Sequence, residues 1–180
     1  MIISLRGTSG SGKSTLTRKV TALYDGDGQP HFIEGRRKAY YTTWTRGTGT
    51  PLMVPGHYDI ANGGVDTLAS LDEAYELAHE FSSRGHDVLM EGKCMSDGTP
   101  HAMTLLRRGH DVRIVHINVP VEKCIASVLK RGHNIAPHSI QKTHDKVLRD
   151  MQQFRTLGLK NVRQESREEC FKIIKWWLAL

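Results

Sequence analysis

Gly7-Thr8-Ser9-Gly10-Ser11-Gly12-Lys13-Ser14 stands directly after the apolar stretch Met1 to Arg6 (MIISLR) and directly before a run, Ser14 to Tyr24, in which Leu16, Val20 and Leu23 share one helical face. The octet matches G-x-x-x-x-G-K-[ST] in full. A strand before it and a helix after it are the context that separates a phosphate-binding P-loop from a chance glycine-rich turn. The glycines let the backbone bend so that successive N–H groups surround a β-phosphate, and the helix N-terminus adds its partial positive charge. Lys13 is expected to bridge β- and γ-phosphates and the Ser14 hydroxyl to hold Mg²⁺. Gly7, Thr8, Ser9, Gly10, Ser11, Gly12, Lys13, Ser14 and Thr15 form the expected nucleotide-binding set.

Working outward, apolar periodicity places further strands at Asp87 to Glu91 (DVLME), Val112 to Asn118 (VRIVHIN) and Asn161 to Glu165. Helices are expected at 67–84, with Asp66 as cap and Gly85 at the C-terminus, and at 100–108. Others run from Pro120 to about Arg131, from Ile140 to Gly158, and onward from the capping box Ser166-x-x-Glu169. Residues 25–66 are irregular, with possible strands at 31–34, 38–45 and 52–55. Strands alternating with helices give an α/β class, with a P-loop NTPase fold of three α/β/α layers. The sheet is expected to be mainly parallel with about five strands, and the fold to carry a helical lid. The absence of repeats or linkers makes 1–180 one expected domain, with a substrate-binding insert at about 25–66 and the lid at about 130–155.

Composition narrows the class. Hydrophobic residues are 38% and charged residues 24% of the 180, the balance of a globular protein. No apolar run reaches the roughly 18 residues of a membrane span. The N-terminus has no basic start followed by a long apolar stretch, so a cytoplasmic location without membrane contact is expected. Cys94, Cys124 and Cys170 lie far apart with no C-x-x-C pair and are expected to be reduced thiols. His133, His138 and His144 lack metal-ligand spacing. The net charge of +6 is uneven: residues 1–90 hold nine Lys/Arg against ten Asp/Glu, residues 91–180 sixteen against nine. That excess suits a polyanion partner or simple solubility.

A GTPase would need an N-K-x-D motif, which is absent, and helicases and motors are larger. Over most of its length the chain resembles the P-loop nucleoside and nucleotide kinases. Glu91, ending the apolar strand Val88-Leu89-Met90, lies where catalytic groups of open α/β sheets gather. It resembles the strand-terminal acid that accepts the attacking hydroxyl's proton in deoxynucleoside kinases. A water-mediated Mg²⁺ role and a plain strand-end glutamate are the alternatives. Arg131, next to Lys130, is similar to the arginine that opens a kinase lid and neutralises the transferring group, with a solvated basic face on a long helix as the alternative.

Arg36, Arg37 and Lys38, interleaved with Tyr40, Tyr41, Trp44 and Tyr58, suit phosphates and bases, or else form a β-hairpin whose aromatics fill the core. The box Gly56-His57-Tyr58-Asp59-Ile60-Ala61-Asn62-Gly63-Gly64-Val65-Asp66-Thr67, with the P-loop and Glu91, resembles bacteriophage kinases that phosphorylate 5-hydroxymethyluracil within DNA. That resemblance implies ATP and Mg²⁺ as cofactors, the hydroxymethyl oxygen as nucleophile, and DNA with a modified pyrimidine as partner. It also implies Tyr58, Asp59 and Asp66 as substrate-binding residues and the cytoplasm of an infected host as location. A deoxynucleoside monophosphate kinase and a non-catalytic nucleotide-dependent DNA-binding module are the competing expectations.

Overall fold

The computed structural model describes residues 1–59, 63–92, 98–132 and 135–180. A sheet of seven strands runs in the order β2-β3-β4-β5-β1-β6-β7. Its strands are β1 (Ile2–Arg6), β2 (Asp25–His31), β3 (Tyr41–Thr45), β4 (Leu52–Pro55), β5 (Asp87–Glu91), β6 (Val112–Ile117) and β7 (Val162–Glu165). β4, β5, β1, β6 and β7 are parallel; β3 runs antiparallel to both β2 and β4. All five residues of β1 and of β5 are buried, as expected of parallel strands covered on both faces.

The pleat sorts the core into two layers. Ile3 and Leu5 pack with Leu16, Val20 and Ile174 of helices α1 (Lys13–Thr21) and α6 (Arg167–Trp177). Ile2 points the other way, to Ala74, Leu105 and Val147 on helices α2 (Leu71–Ser83), α3 (Thr99–Arg107) and α5 (Pro137–Thr156). Leu16 is fully enclosed, so truncating it to Ala would cost about 2–5 kcal/mol. Helix α4 (Val121–Lys130) joins α5 through Cys124, Val128 and Ile140.

The expected α/β architecture holds, with three differences. The strand count is seven rather than about five. β2 falls at Asp25–His31 instead of 31–34, because its residues DGDGQPH have no apolar pattern. It exists by pairing its edge with β3, across an irregularity between Asp25 and Gln29, and an edge tolerates Pro30. The helix expected from 67 begins at Leu71. Ser70 Oγ accepts from Glu73 N–H at 3.1 Å, and the Glu73 carboxylate accepts from Ala69 N–H at 2.7 Å. A capping pair further along therefore displaces Asp66 from the capping role, and Val65–Thr67 form a short 3₁₀ turn instead. No described helix is long and apolar enough to cross a membrane.

Candidate active site

The carboxyl ends of the parallel strands gather the chemistry. β1 leads straight into the phosphate loop, and Ser11 N–H donates to Thr8 O at 3.1 Å to close the turn. α1 then starts at Lys13 with no side-chain cap and no acid in its first turn, so its N–H groups are open to an anion. Gly12 sits at φ +96°, and a Cβ there would stand 2.6 Å from Arg167 Nε. Arg167, from the first turn of α6, donates to Ser11 O at 3.0 and 3.3 Å and so braces the loop from outside. From the opposite layer, His144 on α5 meets Thr8 Oγ1 at 3.1 Å.

Lys13 is buried and donates from Nζ to Gly7 O at 2.8 Å. Burial pulls its pKa down, against the opposing pull of Glu91 and Asp66. Glu91 is likewise buried, and burial pushes its carboxyl above the ordinary range, while Lys13 and then Ser14 hold it back. Two ionisable groups of opposite sign are thus buried near each other, Lys13 at the start of α1 and Glu91 at the end of β5. Glu91 Oε1 has no hydrogen-bond partner among the described residues, and a buried polar atom in that state calls for an explanation.

The described parts of the box, 56–59 and 63–67, form a collar over Glu91; Ile60, Ala61 and Asn62 lie outside the described residues. Gly64, at φ +67°, is bridged to His57. A Cβ on it would lie 2.3 Å from Glu91 O, 3.0 Å from Tyr58 Oη and 3.2 Å from Glu91 Oε1. Only glycine lets the collar approach so closely. The Tyr58 hydroxyl is enclosed beside Glu91, its pKa raised by burial and then by that carboxylate. The Arg18 guanidinium lies over its ring at 5.5 Å and donates to Tyr58 O at 2.8 Å. Asp66 is exposed; its Oδ1 lies 2.9 Å from where a Gly92 Cβ would stand, and its charge is felt by both Lys13 and Glu91.

Lys13, Ser14, Glu91, Tyr58 and Asp66 therefore meet. Arg131, at the exposed end of α4, donates to Ser127 O at 3.2 Å, and its charge contributes to depressing Lys13.

The basic and aromatic residues of 36–44 divide. Because His31 pairs with Tyr41 and Tyr41 with Pro55, the loop from Phe32 to Tyr40 emerges at the same sheet end as the P-loop. Within it Arg36 donates to Thr67 O at 2.6 Å, and Lys38 pairs with Asp59 at 2.8 Å, which holds the Asp59 carboxyl low. Arg37 is exposed, with no partner among the described residues.

Tyr40 lies under Arg36 at 5.2 Å, its pKa pushed up to about 12 by burial and a bond to Glu73. Tyr41 stacks on His31 at 4.5 Å and meets Phe81 edge-on, so it serves the core rather than a substrate. Trp44 was expected with the substrate residues but pairs with Leu52 at the amino-terminal end of the sheet, away from the P-loop. The antiparallel run of β3, three residues on from Tyr41, carries it there.

Arg167, His144 and Arg6 escaped sequence reasoning. The first two approach the loop only through tertiary packing. Arg6, the one charged residue in an apolar strand, did leave a signal. It is fully buried, bonds Ser4 Oγ from Nε at 3.2 Å, reaches Asp150 at 3.5 Å and lies over the Phe154 ring at 4.7 Å.

A parallel sheet whose central strand ends in a Gly-Lys-Ser phosphate loop, with a buried carboxylate ending the neighbouring strand, defines a P-loop kinase. Over 131 residues the chain is 41% identical to the 5-hmdU DNA kinase of Pseudomonas phage PaMx11, an alignment spanning 72% of this chain and 68% of that protein. The chain belongs to the 5-hmdU DNA kinase family. No family model matches the sequence. Among solved structures, a deoxyadenosine kinase from M. mycoides is similar at TM-score 0.48 and 10% identity over 99% of both chains. The same enzyme with bound dATP gives 0.43 and 11% over the whole of both chains.

Proposed function

We propose that this protein transfers the γ-phosphate of ATP to the hydroxymethyl oxygen of 5-hydroxymethyluracil in DNA. The oxygen forms a bond to γ-phosphorus as the bond between γ-phosphorus and the β–γ bridging oxygen breaks. ADP leaves, and the hydroxyl proton passes to Glu91. The observation behind this role is the buried Glu91 carboxylate, pushed up in pKa and with one oxygen unpartnered among the described residues. A base raised toward neutrality accepts a proton more readily than an ordinary exposed carboxylate.

Lys13 exchanges its bond to Gly7 O for the β- and γ-phosphate oxygens, and Arg131 neutralises the transferring group. Thr8, Ser9, Gly10, Ser11 and Thr15 complete the nucleotide cradle with Gly7 and Gly12. Mg²⁺ fits an all-oxygen set of Ser14 Oγ with the Glu91 and Asp66 carboxylates acting through water, and when bound it supplies charge neutralisation on the phosphates. Tyr58 orients Glu91, while Arg36, Arg37 and Lys38 face the DNA backbone and Asp59 restrains Lys38. The relative's phage origin supports action in the cytoplasm of an infected bacterial cell.

The test is label transfer from γ-labelled ATP to 5-hydroxymethyluracil duplex, set against free deoxynucleosides and their monophosphates. Preferred labelling of the duplex is expected. Faster turnover of any free nucleotide would replace the DNA substrate with a monophosphate acceptor. No transfer to any acceptor, with nucleotide binding intact, would make the protein a binding module.

A further inference from the structure

Phe32 and Ile33 form an apolar tip that neither the P-loop nor the Glu91 pocket uses. Both stand largely in water, 58% and 43% exposed. They follow the last residue of β2, and a turn closed by Arg36 N–H to Ile33 O at 3.1 Å, with Gly35 at φ +78°, presents them at the end of the loop. The core has no use for them. Elsewhere the hairpin turns its large aromatic side chains inward, half-buried: Tyr41 packs against Phe81 and Trp44 against the second core layer.

Position gives the tip its meaning. It projects from the carboxyl end of the sheet, the end that holds Lys13 and Glu91, and β2 stands three strands from β5. At ordinary strand spacing that is about 14 Å. The tip therefore lies beside the pocket, not inside it. After it, past Glu34 and Gly35, come Arg36, Arg37 and Lys38, of which Arg37 is unpartnered among the described residues. An apolar tip with a basic cluster three residues further along the same loop is complementary to a base stack beside a phosphate strand.

A 5-hydroxymethyl group inside a duplex cannot reach a carboxylate that is buried under a collar. The nucleotide has to leave the stack, which costs a few kcal/mol in lost stacking and pairing. Apolar side chains that enter a base step offset part of that cost.

We propose that Phe32, supported by Ile33, is the wedge that enters the duplex where the target base swings out, with Arg37 gripping the adjacent phosphate. This rests on DNA being the acceptor. Phe32 is a positioning residue, since it touches neither ATP nor the reacting oxygen. Tyr41 and Trp44 of the same hairpin pack against the core and leave this role to Phe32.

The experiment compares Phe32→Ala and Phe32→Trp with the unmodified protein on three substrates. These are a 5-hydroxymethyluracil duplex paired to adenine, the same duplex with the target opposite guanine, and the single strand. Thermal melting monitors folding, and 2-aminopurine beside the target reports unstacking. Phe32→Ala is expected to lower the duplex-to-single-strand rate ratio by about tenfold or more, in line with the loss of one stacking contact. The mismatch should recover part of the loss, the 2-aminopurine signal should fall, and Phe32→Trp should keep the ratio. An unchanged ratio in Phe32→Ala, or an equal loss on duplex and single strand, overturns the wedge while leaving the DNA kinase intact. If the unmodified protein labels free nucleotides in preference to every DNA, it is the acceptor assignment that fails instead.

Discussion

The phosphate loop and the β2–β3 hairpin share one sheet but are built by opposite means. The loop is enclosed from both sides, by Arg167 of α6 and His144 of α5, and its strand is buried at every residue. The hairpin is an edge: β2 is almost wholly exposed, and its polar sequence has no core of its own. In the first region, burial keeps Lys13 and Glu91 within reach of each other's charge. In the second, exposure leaves Phe32, Ile33 and Arg37 in solvent. One region concentrates charge for chemistry; the other offers surface for a partner.

Removing one of these two buried groups should give the largest effect. Lys13→Ala is expected to lower phosphoryl transfer by about a thousandfold or more, as losing a cation on the transferring group does. Far-UV circular dichroism should be unchanged, and activity within tenfold of the unmodified protein would end the P-loop assignment. Next comes Glu91→Gln, expected to cost about a hundredfold in kcat with nucleotide affinity retained. The pH profile adds a sign. With the Glu91 pKa raised by burial, the unmodified rate should fall on acidification at a pH above the ordinary carboxylate range. The Gln variant should lose that acidic limb. A collapse of nucleotide affinity instead would make holding Mg²⁺, and not taking the proton, the role of Glu91.

The contrast also explains what the sequence could reveal. Lys13, Ser14 and Glu91 were legible because local chemistry fixes them: a glycine pattern needs its strand and helix, and an acid that ends an apolar strand has one place to go. The parallel sheet followed from alternating elements. Arg167 and His144 were not legible, because nothing in their neighbourhoods encodes the approach of α6 and α5 to the loop. β2 was misplaced because edge pairing, not its own composition, makes it a strand. Trp44 was misassigned because a basic-aromatic mixture carries no information about which end of a hairpin each residue occupies. Phe32 and Ile33 passed unnoticed because exposure is a tertiary property.

His116 sharpens the buried side. It lies on β6 opposite Arg6, its Nδ1 unpartnered among the described residues. Burial, then His144, Lys13, Arg155 and Arg6, bring its pKa down from 6.5 to about 4. A histidine depressed in the native state stabilises fully above its unfolded pKa. It loses that contribution as pH falls from about 6.5 toward 4, because only the unfolded chain takes up the proton. The loss is about 3 kcal/mol at most. Urea melts of the unmodified protein and His116→Asn between pH 7 and 4 should converge by that order. Parallel curves would show that His116 charges freely in the folded state.

The smallest effects separate the two ends of the hairpin. Trp44 packs over Gly28, whose Cβ would stand 2.5 Å from the indole, and against the second core layer. It is only half-buried, so Trp44→Ala should cost about 2 kcal/mol, below the range for a fully enclosed Trp. Duplex binding and its salt slope should stay as they were. Arg37→Ala should do the reverse: unfolding stability unchanged, duplex affinity lower, and the slope of log affinity against log salt reduced by about one, as for a single lost phosphate contact. The pair constitutes one test, read by chemical melts and by fluorescence titration at several salt concentrations. If Trp44→Ala weakens DNA binding without weakening the fold, the amino-terminal end of the hairpin meets the duplex, and the tip at Phe32 does not.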